Sequence, residues 1–107
     1  MFTRVVEMRT KTGKSRDFSA TLNEKVLPIL HKQHGFVDEI TLVSNTDPDR
    51  ILALSFWQSE QDAELYHREQ FNNVVQIVSQ LLETPPKVQT FNVDTSTTHH
   101  IAKGKAA

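Results

Sequence analysis

Between Arg50 and Phe71 the chain changes its hydrophobic period once, and abruptly. Ile51 to Trp57 is a short apolar run preceded by Asp47, Pro48 and Asp49, the pattern of a buried strand after a turn. From Ser59 onward the residues favour helix. Ser59 stands three positions before Asp62, so its hydroxyl can accept from an orphan amide of the first turn while the acid sits at the positive helix end. Strand must therefore become helix within two residues, at a junction that carries the only Trp (Trp57), the only Tyr (Tyr66) and His67. Such a turnover requires a sheet with a helix laid directly on it.

The rest of the chain repeats that alternation. Phe2 to Arg9 reads as a strand, with Phe2, Val6 and Met8 on one face and Thr3, Val5, Glu7 and Arg9 on the other. Thr10 to Lys14 holds Gly13 and reads as a turn, with Ser15 as the expected helix N-cap. Phe18, Leu22, Val26, Ile29 and Leu30 then recur at helical spacing and predict an apolar stripe facing a sheet. Pro28 removes the bond to the Glu24 carbonyl and should bend this helix, which Gly35 ends as a C′ residue. Phe36 to Ser44 is a second strand, with Phe36, Ile40 and Leu42 in one phase and Val37, Glu39, Thr41 and Val43 in the other. After the third strand, Phe71, Val74, Val75, Val78, Leu81 and Leu82 form a second helical stripe, stopped by Thr84, Pro85 and Pro86. Val88 to Thr95 alternates again as the fourth strand.

The order βαββαβ predicts an α+β, ferredoxin-like domain: a four-stranded antiparallel sheet with its helices on one face. The other face needs a cover, because the strands carry apolar side chains in both phases, such as Phe2 and Val5, Ile40 and Val43, Leu54 and Trp57. A homodimer through the sheet faces is the expected solution. At 107 residues the chain reads as one domain over residues 1–95, followed by a C-terminal tail, 96–107, expected to lie across the partner subunit.

Twelve Lys and Arg against thirteen Asp and Glu leave a formal charge of -1, with no basic run to neutralise a phosphate backbone, so nucleic acid is not an expected partner. The absence of Cys excludes disulfides and thiolate chemistry. With no signal pattern at Met1 to Arg9 and no run of eighteen apolar residues, the expectation is a soluble, cytoplasmic protein that does not enter a membrane.

Several short pieces carry a family resemblance: Lys11-Thr12-Gly13-Lys14, Val26-Leu27-Pro28 running into His34-Gly35-Phe36, Asp47-Pro48-Asp49-Arg50, Phe56-Trp57-Gln58-Ser59 and Pro85-Pro86-Lys87-Val88. In this order they resemble the antibiotic biosynthesis monooxygenase (ABM) family of dimeric α/β-barrel proteins. The resemblance implies that fold. For function it implies oxygenation of a small phenolic or quinol substrate without metal or flavin, although the same pattern covers quinol monooxygenases, haem-degrading enzymes and proteins of no assigned activity. The haem-degrading relatives use an Asn on the first strand, a Trp on the helix after the third strand and an axial His further on. At the matching places this chain has Glu7, Tyr66 and, near Val74 to Gln76, no His. That subclass is disfavoured.

Cofactor-free oxygenation needs an electron-rich ring deprotonated in a dry pocket beside an anion stabiliser. Tyr66 and His67 are the candidates for proton exchange, hence the catalytic pair. Trp57 as an aromatic wall, Arg4 as phenolate holder and Asn72 or Asn73 as oxyanion donors are the substrate-binding candidates. Each has an ordinary structural reading beside it: Trp57 as a core or interface aromatic, Tyr66 as a buried ring with a satisfied hydroxyl, His67 and the two Asn as solvated helix residues, Arg4 as a strand or rim charge. His31 and His34 are spaced for one helix face, but without further ligands they read as helix-end residues and no metal is expected. The alternative to an enzyme is a non-catalytic homodimer that binds a small aromatic metabolite or assists another enzyme.

Overall fold

The computed structural model describes residues 1–99. Its frame is the antiparallel register of β1 (Phe2–Arg9) against β3 (Arg50–Trp57), in which Phe2 faces Trp57, Val6 faces Ala53 and Met8 faces Ile51. Because side chains alternate along a strand, this pairing puts the apolar phase of both strands on the same side. β2 (Phe36–Val43) adds to β3 and β4 (Lys87–Asn92) adds to β1, giving the antiparallel order β2-β3-β1-β4. The helices cover one face. Phe18, Leu22, Val26 and Leu30 from the first helical region, and Ala63, Tyr66, Val74 and Val78 from the second, bury against Phe2, Val6, Met8, Ile51 and Trp57. This is the ferredoxin-like arrangement expected of βαββαβ.

Local chemistry explains where the elements depart from their expected outlines. The first helical region is α1 (Ser15–Thr21), a π turn (Leu22–Val26) and α2 (Leu27–His31). Pro28 cannot donate to the Glu24 carbonyl. The irregularity falls one turn earlier, where the Leu27 amide donates to the Leu22 carbonyl across five residues. Lys14, not Ser15, is the residue before α1, and it makes no side-chain cap. A bulge at Phe36–Asp38 brings Phe36 opposite Trp57 on the helix side, while Ile40 and Leu42 point outward. Phe36 therefore leaves the phase it shares with them in the sequence. The second helical region divides at Gln70 into α3 (Glu60–Glu69) and α4 (Phe71–Val78), with a single 3₁₀ turn at Ser79–Leu81. Ser59 caps α3 as expected, its hydroxyl accepting from the Asp62 amide at 3.2 Å.

The outer face of the sheet is apolar and open. Ile40, Leu42 and Phe91 are 44%, 47% and 50% exposed there, so the sheet is not closed by its own helices. Ser96 to His99 turn back toward this face. The His99 ring lies 5.7 Å from Phe56, and its Nε2 is 3.7 Å from an Asp38 carboxylate oxygen. The remainder of the expected tail, 100–107, lies outside the described residues. Among the described residues no helix is long and apolar enough to cross a membrane.

Gly35 is not the C′ residue of α2, which closes at Lys32, but lies in the turn from Gln33 to Phe36 that opens β2; its φ is +78°, and a Cβ built on it would run into the Asp62 side chain. Gly35→Ala is expected to lose about 1–2 kcal/mol from the left-handed backbone alone, and more from displacing Asp62. A chemical denaturation midpoint, measured beside Gly13→Ala, checks this. Gly13 has the same φ of +78° but open space around it, so its loss should be the smaller.

Candidate active site

β1 has one charged residue in its inward phase, and the register places it in the middle of the core face. Arg4 stands between Phe2 and Val6 and is 3% exposed. The break at Gln70 sets the end of α3 and the start of α4 over it. Arg4 Cζ lies 5.3 Å from the centre of the Tyr66 ring and 4.7 Å from that of Phe71, both within cation–π range. Arg4 Nη1 donates to His67 Nδ1 at 2.9 Å. Arginine has only donors, so Nδ1 must present its lone pair and the His67 proton must sit on Nε2. Burial, with the Arg4 charge beside it, holds the His67 pKa below the usual histidine value.

Arg4 Nε and Nη2 are buried and have no hydrogen-bond partner among the described residues. A guanidinium stripped of water with two donors idle is costly, and burial pulls its pKa down, partly offset by the nearby Tyr66. Tyr66 is pushed up to about 12 by its own burial, with Arg4 pulling the other way. At neutral pH its phenol is therefore a donor and not a base.

Two spaces meet at Arg4. One is an interior cavity of about 50 Å³ between sheet and helices, whose lining includes Glu39, Ser55, Tyr66, Phe71 and Val74. The other is an open groove of about 580 Å³ between α3 and β4, bordered by Phe2, Glu64, His67, Val88 and Thr90. Glu39 brings a half-buried carboxyl to the interior cavity, held by the Thr41 hydroxyl at 2.7 Å. Burial raises its pKa, with the Thr41 bond opposing and Asp38 reinforcing.

The structure brings together Arg4, Tyr66 and His67. Trp57 sits one layer behind them, lining neither space. It is fully buried, donates from Nε1 to Ser55 Oγ at 2.9 Å, and stacks on Tyr66 with ring centres 5.1 Å apart. Its place is to hold the Tyr66 ring. Asn72 and Asn73 are exposed at the start of α4 and line neither space, because the inward positions of that helix are taken by Val74 and Val78. Two residues at the site were not singled out from the sequence. Glu39 reads there as an alternating polar position, and only its spacing from the inward Thr41 could have hinted at it. Phe71 reads as core. Of the helix-end histidines, His34 pairs with Asp62 at 2.8 Å and His31 packs edge-on to Phe36, and neither lines the two spaces at Arg4. Among the described residues no group of three or more His, Cys, Asp or Glu could hold a metal ion.

The sequence model of the antibiotic biosynthesis monooxygenase family matches residues 1–78, a span that holds Arg4, Glu39, Tyr66, His67 and Phe71. The chain belongs to that family. Among solved structures the ABM chain is similar to a monooxygenase from the gene ActVA-Orf6 of Streptomyces coelicolor, in complex with nanaomycin D. The identity is 18%, with 89% of this chain and 88% of that one covered at a TM-score of 0.77. It is also similar to SnoaB, a cofactor-independent oxygenase from Streptomyces nogalater, at 14% identity, 92% and 97% coverage and a TM-score of 0.77. A conserved protein from Methanosarcina mazei Go1 shares 19% identity over 86% of this chain and 92% of its own, with a TM-score of 0.70. Likeness at these identities shows the shared ABM fold. No curated protein matches the sequence.

The Arg4–His67 contact predicts a titration. The His67 imidazole should carry its proton on Nε2 at neutral pH and charge only below the usual histidine range, and Arg4→Met should move that midpoint upward by removing the neighbouring positive charge. Nitrogen-detected NMR of the ring through pH 5 to 8, the range about an ordinary histidine midpoint, measures both. A midpoint in the wild type at or above the ordinary value would contradict the assigned contact.

Proposed function

We propose that the space around Arg4 serves a cofactor-independent monooxygenase reaction on a small phenolic or quinol ring. The observation that carries this reading is a guanidinium buried among aromatic side chains with two of its donors unused. Such a group favours an anion carried on an aromatic body. In the proposed reaction a phenol loses its proton and the phenolate passes one electron to dioxygen. The radical pair joins as a ring peroxide, and loss of water leaves the quinone. One phenol and one dioxygen thus become one quinone and one water.

The protein's share is positioning and charge. Arg4 favours the phenolate over the phenol. His67, neutral at working pH, takes the substrate proton at Nδ1 as Arg4 Nη1 turns aside, while the free Nε and Nη2 donors hold the phenolate. Tyr66 stays protonated and orients the substrate through its hydroxyl and ring, with Trp57 fixing its plane. Glu39 is a second proton acceptor on the cavity side. Support at the level of the family comes from SnoaB, described as a cofactor-independent oxygenase, and from the Streptomyces coelicolor monooxygenase with nanaomycin D bound.

One observation favours the non-catalytic reading. The interior cavity of about 50 Å³ is smaller than the roughly 150 Å³ that accepts a benzene ring, so a substrate must use the groove or open the cavity. A dimer that only binds an aromatic metabolite at the groove, or assists another enzyme, is the second reading. Either function fits a homodimer formed through the outer sheet face, which would cover Ile40, Leu42 and Phe91.

Oxygen uptake by metal-stripped protein against hydroquinones, naphthoquinols and polycyclic phenols tests the reading. Uptake above autoxidation is expected, with His67→Ala lowering kcat by on the order of 100-fold and Tyr66→Phe by less. Absence of uptake across the panel would leave the binding dimer. For the assembly, small-angle scattering should give twice the chain mass, and Leu42→Lys should shift it toward the monomer. A wild-type mass of one chain would refute the dimer.

A further inference from the structure

The two idle donors of Arg4 are not arbitrary ones. Nη1, on the Cδ side of the guanidinium, is bonded to His67, and the pair left over is Nε and Nη2. Those two N–H groups lie side by side on a single edge of the planar group, parallel and coplanar, the fork that matches two adjacent oxygens. On the aromatic side, Arg4 Cζ lies over the rings of Tyr66 and Phe71. Both nitrogens are closed off in this packing, so a ligand oxygen is received at that edge, in the plane, once the cavity opens. We infer that the Arg4 site selects an aromatic ligand presenting two neighbouring oxygens that share one negative charge, and that a ring bearing a single phenolic oxygen is the poorer fit.

The chemistry behind this is desolvation. Arg4 has given up water at both nitrogens, and a lone phenolate oxygen can serve the fork only with one strong bond or two bent ones. An aryl carboxylate, or a ring deprotonated at one of two vicinal hydroxyls, satisfies both donors at once and places the charge where it is compensated. Lysine, a point charge with no fork, would not reproduce this selectivity. Few other polar side chains compete for such a ligand at the interior cavity. Its charged residues are Arg4 and Glu39, and burial biases the Glu39 carboxyl toward its neutral form, which lessens repulsion of an anionic ligand. The inference deepens the reading of the Arg4 space as an aromatic site and rests on it for the aromatic body. It does not depend on oxygenation.

Calorimetric titration with three probes of matched ring size tests it: 2-naphthoate, 2,3-dihydroxynaphthalene and 2-naphthol. The two-oxygen probes are expected to bind on the order of 10- to 100-fold more tightly than 2-naphthol, the span of a charge-assisted hydrogen bond gained. Which of the two binds more tightly distinguishes a carboxylate ligand from a vicinal diol. Arg4→Lys should collapse that preference while the positive charge remains. Should that variant fold poorly, the wild-type Arg4 Nε–H proton resonance supplies an independent readout, shifting with the two-oxygen probes and little with 2-naphthol. Equal affinity for all three probes, or an unmoved Nε–H signal on saturation with 2-naphthoate, would overturn the inference. Binding with the expected preference but no oxygen uptake on any quinol would instead refute the monooxygenase reading and leave the fork standing.

Discussion

Side chains alternate across a strand, so the antiparallel register of β1 on β3 assigns every residue of both strands to a face in a single step. Phe2 against Trp57 and Met8 against Ile51 commit the even positions of β1 to the helices. Three of those positions are apolar and bury as the core requires. The fourth is Arg4, carried inward by the same periodicity, and a slip of one residue would exchange it for Thr3 or Val5. The cation at the centre of this small core is a consequence of register.

That position brings a cost which the surroundings only partly offset. One guanidinium nitrogen has His67, the Cζ lies over aromatic rings, and two donors have nothing among the described residues. A core built for stability alone would do better with an apolar side chain of similar length at this place. Groups left in this condition concentrate at functional sites, where the missing partner is the ligand. Tyr66, His67 and Glu39, which border the two spaces, are shifted in a sense consistent with it. Tyr66 is held in its neutral phenol form, His67 in its neutral imidazole form, and the Glu39 carboxyl is biased toward protonation.

The elements were legible in the sequence because periodicity, capping and turn chemistry are local. The Ser59 cap and the inward phase of β1 appear where the residues place them, whereas Gly35 takes its left-handed conformation in the turn into β2, beyond the Lys32 cap of α2. Irregularities were less legible. The π turn before Pro28 and the bulge beside Asp38 each resolve a conflict between local hydrogen bonding and the packing of the stripe or strand, and a pattern of residue types does not specify which turn yields. Within the site, Tyr66 and His67 could be named in advance as unusual residues at the strand-to-helix junction, and Arg4 as a strand cation able to hold a phenolate. Trp57 was named as a wall and stands behind the wall, while Asn72 and Asn73 face water one helical step away from the inward Val74. Glu39 and Phe71 were hidden by ordinary strand and helix patterns.

The sequence by itself determined the order of strands and helices, the two apolar phases of the sheet and membership of the ABM family, since each depends on residues close together in the chain or on a pattern spread along it. Tertiary structure alone decided that Arg4, Glu39, Tyr66, His67 and Phe71 meet. They come from β1, β2, α3 and α4, and distances between such elements are set by strand register and helix docking. Which donors of a guanidinium remain free is likewise a property of three-dimensional packing, because it depends on partners 63 positions away in the chain, as His67 is from Arg4.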